Sequence, residues 1–222
     1  MTPRKRVEAI LRGEPADKVP FTIYECMLPQ CTVERRLRNE GLCIVNRHPP
    51  VVRTRTPNVK SASKPFTENG VAYSRTDIRT PAGDLHSVSR PAGFTSWHVE
   101  KLFKRPEHYK PLLSMVQDEQ YEPCYDVFLK AEAELGEDMI LRTGVGATPL
   151  HQIMITWMGV ETFAIEWLER RDEVLKLYDA MVEKRRELYP LVAKSPALHA
   201  NYGGNETGDV MGRQRFEKYM LP

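Results

Sequence analysis

Cysteine is scarce in this chain and follows no pattern. Cys26, Cys31, Cys43 and Cys124 are spread over 222 residues with no CxxC pair and no regular framework. That argues against a disulfide-stapled scaffold and fits a reducing cytoplasm. Long runs of one charge sign are also missing, with Lys+Arg 32 against Asp+Glu 30 and a formal net charge of +2. Such a balance points away from nucleic acid and from a membrane surface as partners. No apolar segment approaches the roughly 18 residues that a membrane helix needs. The basic opening MTPRKRVEAILRGEPADKVPF lacks the apolar core of a signal peptide. No repeat of solenoid period is present. What remains is a soluble, cytoplasmic protein of one large domain, whose hydrophobic content of 41% suffices for a sizeable core.

What the chain does contain is a rhythm of helices and short apolar strands. Thr2 and Pro3 start a helix over 4–12, with Val7, Ile10 and Leu11 as its apolar stripe and Gly13 as its stop. Residues 19–24 are rich in β-formers and read as a first strand, 32–40 as a charged helix, and 42–45 as a second strand. Residues 47–70 are rich in Pro, Thr, Ser and Lys and read as irregular with one or two extended pieces. Two runs, 71–79 and 85–89, form a hairpin around Gly83. Residues 47–90 are therefore expected to be an irregular and hairpin insertion at the surface. Helices follow over 106–116, 125–135, 159–168 and 172–193, with another beginning at 150–157. Between them stand short apolar strands at 139–142 and 197–200, with a Gly-rich loop at 144–149. This alternation predicts parallel βα units and an α/β fold.

In a parallel α/β protein the loops at strand C-termini carry the chemistry. Tyr24, Glu25 and Cys26 follow the first strand, and Thr148 and His151 follow the strand at 139–142. Asn201, Asn205 and Glu206 occupy the Gly-rich loop at 201–208. Glu25 and Glu206 are the candidate catalytic carboxylates, as general acids or as hydrogen-bond acceptors. Tyr24, Cys26, Thr148, His151, Asn201 and Asn205 are the candidate substrate contacts. Plainer alternatives stand beside them: a solvated loop of turn formers at 201–208, and a helix-surface role for His151. Trp157, Phe163 and Trp167 read as packing residues. Cys26 and Cys31, five apart with Pro29 between, have a poor metal spacing and read as buried structural thiols. No metal ligand set is assigned.

The opening TPRKRVEAILRGEPADKVPF resembles the N-terminus of the uroporphyrinogen decarboxylase superfamily. Four further segments, in the same order, resemble its cobalamin-dependent methyltransferase branch. They are RTPAGDLHSVSR with TSWHVEKLFKRPEHYKPL, then GVGATPLHQIMI, then GVETFAIEWLERRDEVLKLYDAM, then NETGDVMGRQRFEKYMLP. The resemblance covers nearly the whole chain. It implies a (β/α)8 TIM-type barrel with its active site at the C-terminal mouth of the strands. Members are usually longer, so this chain is expected to be truncated at its C-terminal side and to hold the N-terminal part of the barrel. The open edge would then be covered by a partner or by a second copy in a homo-oligomer.

The function implied is methyl transfer between a small methylated compound and a corrinoid protein or another acceptor, such as a thiol or tetrahydrofolate. The branch holds zinc through His-x-Cys and a distant Cys. This chain has no His-x-Cys, so no cofactor is evident in it. Zinc is expected in the full-length family member, and the corrinoid on a partner. The decarboxylase branch grips an acidic tetrapyrrole with arginines after the first strand. Here that place reads TIYECMLPQC, without arginine, and Glu25 would repel a polycarboxylate. Porphyrinogen decarboxylation is thus the runner-up, and a non-catalytic fragment stable only by association is the third reading.

Overall fold

A computed structural model describes every residue except Phe94, Asn205 and Pro222. In chain order the elements begin with α1 (Pro3–Leu11), β1 (Phe21–Tyr24), α2 (Thr32–Asn39), β2 (Leu42–Asn46) and β3 (Val52–Arg55). Four strands follow: β4 (Lys60–Glu68), β5 (Val71–Thr80), β6 (Gly83–Ala92) and β7 (Thr95–Glu100). Then come α3 (Tyr109–Gln117), β8 (Gln120–Pro123), α4 (Tyr125–Glu134), β9 (Met139–Leu141) and β10 (Thr143–Gly146). The chain continues through α5 (Pro149–His151), α6 (Val160–Glu169), α7 (Arg171–Ala193), β11 (Ala200–Tyr202), α8 (Gly208–Met211) and α9 (Arg213–Tyr219). The fold is mixed α/β, and no sheet closes on itself among the described residues. Among those residues no helix is long and apolar enough to cross a membrane.

The chain divides into two compact units. The first comprises Met1–Arg53, Glu122–Val145 and Tyr189–Asn201; the second comprises Thr54–Tyr121, Gly146–Leu188 and Tyr202–Pro222.

A parallel sheet of order β1-β2-β9 organises the first unit. Leu42, Cys43, Ile44 and Val45 are all buried, as befits the central strand of a parallel sheet covered on both faces. Register places Tyr24 opposite Val45, and Asn46 opposite Leu141. Val7 of α1 packs on Cys43, Val45 and Ile140. The start of α1 is fixed by its Thr2 cap, whose hydroxyl accepts from the Lys5 amide, and by Arg4 N–H donating to the Glu137 carbonyl at 2.8 Å. Phe128 of α4, 1% exposed, packs with Val51 and Leu141.

The second unit contains a four-stranded antiparallel sheet of order β4-β5-β6-β7. The expected hairpin is its middle pair, with Thr80 opposite Gly83. Gly83 has φ +132°, a value that favours glycine. Strand β4 is exposed along its length, whereas Leu85 and Val88 of β6 are buried. Leu85 joins a core built from Leu112 and Val116 of α3, the segment from Leu150 to Met158, Phe163 and Trp167 of α6, and Val174 and Leu177 of α7. Trp157, Phe163 and Trp167 therefore pack, as their positions in the sequence suggested. Inside this core the Tyr109 hydroxyl donates to Glu166 Oε2 at 2.9 Å, and Arg170 Nη1 lies 3.4 Å from Oε1.

Three expectations need correction. The strand expected to be buried at 197–200 is instead Ala200–Tyr202, and all three residues are exposed. It pairs only with β10 among the described residues, so it lies at the edge of its ladder. The loop expected at 144–149 begins as strand β10, because its backbone pairs with β11 despite two glycines. Thr143 N–H donates to the His199 carbonyl and Gly203 N–H to the Gly146 carbonyl, so the two segments run parallel. Finally, the helix starting near 150 turns into a wider π-type coil over Gln152–Met158.

Two substitutions test this packing by thermal and urea unfolding. Phe128→Ala should cost about 3–5 kcal/mol by leaving a cavity. Tyr109→Phe should cost about 1–3 kcal/mol by stripping a donor from buried Glu166. Wild-type stability in either variant would contradict the packing described.

Candidate functional site

The C-terminal ends of β1, β2 and β9 bring a set of polar side chains together in the first unit. Backbone bonds fix where each one leaves its strand. Glu25 N–H donates to the Val45 carbonyl at 3.3 Å, and Arg142 N–H to the Asn46 carbonyl at 2.9 Å. Tyr24 packs against the Val7–Cys43–Val45–Ile140 cluster. Two guanidinium groups face its ring, Arg47 at 4.8 Å and Arg142 at 5.0 Å from the centroid. Arg142 Nη1 also donates to the Tyr24 hydroxyl at 2.7 Å. Arg47 is neutralised by Glu25: Nε and Nη2 both lie 2.9 Å from Glu25 Oε1. Its Nη2 also donates to Cys26 Sγ at 3.0 Å.

Beside these groups lies a cavity of about 470 Å³, lined by Ile23, Tyr24, Met27, Val45, Arg142, His199 and Asn201 among others. The size suits a small organic molecule. Arg142 is the one cationic side chain among the described residues that line it. Burial, and then the Arg142 charge, push His199 below the ordinary histidine value, so it is neutral at neutral pH. Arg142 Nε and His199 Nδ1 are buried without a hydrogen-bond partner among the described residues. Such groups are costly to leave unpaired.

A second cluster lies wholly within the second unit. Glu206 Oε2 accepts from Gly204 N–H at 2.5 Å, and its Oε1 accepts from the Thr148 hydroxyl at 3.0 Å. His151 Nδ1 stands 3.5 Å from the same Oε1, within ion-pair distance but without a hydrogen bond. The side chains of His151 and Glu206 are only 10% and 12% exposed. Burial opposes ionisation of Glu206, but the Gly204 N–H, the Thr148 hydroxyl and His151 outweigh it and hold the carboxyl below its usual range. The glycines leave room for the His151 and Glu206 side chains. A Cβ on Gly204 would come within 3.2 Å of the His151 ring, and one on Gly203, at φ +92°, within 3.1 Å of the Glu206 carboxylate.

The residues singled out in the sequence thus fall into two groups. Tyr24, Glu25, Cys26 and Asn201 belong to the first unit, and Thr148, His151 and Glu206 to the second. Asn205 lies outside the described residues. His151 is buried, not at a helix surface. Cys26 and Cys31 are exposed, contrary to the expectation of buried thiols, because both lie in the open segment between β1 and α2. Cys43 is the buried thiol, pushed up to about 12 by burial and hence unreactive. Arg142, His199 and Arg47 were missed by sequence reasoning. A basic residue closing an otherwise apolar strand, as in Met139–Leu141 followed by Arg142, was the available signal. No group of three or more His, Cys, Asp or Glu able to hold a metal ion occurs among the described residues.

No protein-family model, no curated protein and no solved structure matches the chain.

Glu206 makes a pH test possible. A carboxyl whose value is lowered by folding stabilises the fold above its ordinary value and loses that contribution as pH falls through the lowered one. The melting-temperature gap between wild type and Glu206→Gln should therefore be full near neutral pH and close below the ordinary glutamate value of 4.5. A gap that persists unchanged from about pH 7 to about pH 3 would contradict this.

Proposed function

We propose that this chain is a methyltransferase-like enzyme of the uroporphyrinogen decarboxylase superfamily, built on a (β/α)8-type barrel and holding its N-terminal part. One observation carries the reading. Strands β1, β2 and β9 are parallel neighbours in sequence order, β10 continues from β9 after a single residue, and β11 runs parallel to β10. Helices or longer excursions separate β1 from β2, β2 from β9, and β10 from β11. A barrel needs this steadily advancing order, whereas a doubly wound sheet reverses direction at its switch point. Polar side chains and a cavity at the C-terminal ends of the strands agree with it.

In this reading the first unit binds a small methylated compound beside Tyr24, Arg142 and Asn201. Glu25 holds Arg47 in place. In the second unit Glu206, held below its usual range with Thr148 and His151 beside it, is the candidate general acid–base group. A corrinoid protein, or another methyl acceptor, would be the partner. Strand β1 has no neighbour on its outer side among the described residues, and Phe21 on it is 56% exposed. This open edge suits coverage by a second copy or by further barrel strands. Four free cysteines fit the reducing cytoplasm in which the reading places the protein.

Decarboxylation of an acidic tetrapyrrole remains the second reading, favoured by one observation. Arg142 supplies at the strand ends a positive charge that the segment after β1 lacks. One cation among the described lining residues is poorly matched to a polycarboxylate, which ranks this reading below methyl transfer.

Methyl transfer is tested directly with isotope-labelled small methylated amines, thiols and alcohols and a corrinoid acceptor. The full chain should move label into the acceptor above a protein-free control. Glu206→Gln should lower the rate by about a hundredfold, the scale of a general acid–base group. No transfer from any donor by folded protein would overturn the reading.

A further inference from the structure

We propose that the cavity at the C-terminal ends of β1, β2 and β9 binds a small organic monocarboxylate. Its carboxylate lies between Arg142 and His199, and its hydrocarbon body lies against Ile23, Met27 and Val45. This rests on the reading of the strand ends as a small-molecule site, and not on methyl transfer.

The charge count selects a monoanion. Arg47 is matched by Glu25 through contacts of 2.9 Å from both Nε and Nη2. His199 is held neutral by burial and by Arg142. Arg142 is left as the uncompensated cation among the described residues lining the cavity. One positive charge is satisfied by one carboxylate, whereas a phosphate dianion would carry a second negative charge with no cation among the described lining residues to meet it.

Geometry selects a planar anion. The Tyr24 hydroxyl takes Arg142 Nη1 at 2.7 Å and the Tyr24 ring lies under the guanidinium at 5.0 Å, so Arg142 is held in one orientation. Its Nε is buried and unpartnered among the described residues, as is His199 Nδ1. Nε belongs to the side edge of the guanidinium, the edge that engages carboxylates in a fork. A bound carboxylate would satisfy Nε and accept from the imidazole. The Asn201 side chain lines the same cavity and adds amide donors. Apart from the neutral Thr22, the remaining lining residues Ile23, Met27, Val45 and Ala200 are apolar and fit a hydrocarbon body rather than a second charged group.

The test is calorimetric titration of the full chain, at low salt, with phenylacetate, its neutral analogue phenylacetamide, and inorganic phosphate. Phenylacetate should bind at least about tenfold more tightly than either of the others, the effect of one charge-assisted hydrogen bond. Arg142→Gln, verified as folded by its melting curve, should abolish that preference. Asn201→Asp, on an exposed strand position, provides a second probe that leaves Arg142 in place. It should weaken phenylacetate by about tenfold more than it weakens phenylacetamide, because the new carboxylate repels only the acid. Equal binding of acid and amide, tighter binding of phosphate, no binding by folded protein, or an unaltered preference in both variants would each overturn the proposal. Carboxylate preference without methyl transfer would keep this inference and remove the methyltransferase reading. Methyl transfer without carboxylate preference would do the reverse.

Discussion

Leu42, Cys43, Ile44 and Val45 form a strand with no exposed side chain, paired in parallel on both sides. The geometry of the first unit depends on this burial. With β2 covered on both faces, its register against β1 and β9 is held by the hydrophobic effect acting on every residue of the run. Tyr24 then ends opposite Val45, and Leu141 opposite Asn46. Tyr24, Arg47 and Arg142 consequently leave the sheet at one edge. A slip of one residue in either pairing would turn the flanking side chains to the opposite face and separate Tyr24 from its two guanidinium groups.

The two polar clusters follow one electrostatic logic in different forms. In the first unit, Glu25 spends its charge on Arg47, and Arg142 keeps its own. In the second unit, the Glu206 carboxylate is held by a backbone N–H and a hydroxyl, with a histidine beside it. Partly buried charges persist only where such partners offset desolvation. Glycines at 203 and 204 make the second arrangement possible by leaving room for the carboxylate and the imidazole ring. The polar groups left over, Arg142 Nε and His199 Nδ1, mark where a ligand has something to offer.

Much of the fold was legible because its signals are local. The apolar runs at 42–45 and 139–142, the capped helix after Thr2, and the hairpin around Gly83 all announce themselves through periodicity or turn chemistry. Candidate residues after the strands were legible for the same reason, since position at a strand end needs no tertiary knowledge. Arg142 and His199 are hidden because each falls in a segment whose pattern is that of a buried strand, at 139–142 and 197–200, and such a pattern points to core rather than to a site. Gly144 and Gly146 disguised β10 as a loop, because pairing with a distant segment overrode their poor β-propensity. The exposure of Cys26 and Cys31 depends on the path between β1 and α2, which no periodicity encodes.

Amide hydrogen exchange across the first unit tests most directly the claim that β2 is the buried centre of a parallel sheet. The account predicts that the amides of Cys43, Ile44 and Val45 exchange slowest in that unit, and more slowly than those of the exposed strand Lys60–Glu68. Exchange at Cys43, Ile44 and Val45 as fast as in the exposed strand would contradict the sheet, and with it the placement of Tyr24 and Arg142 at one edge.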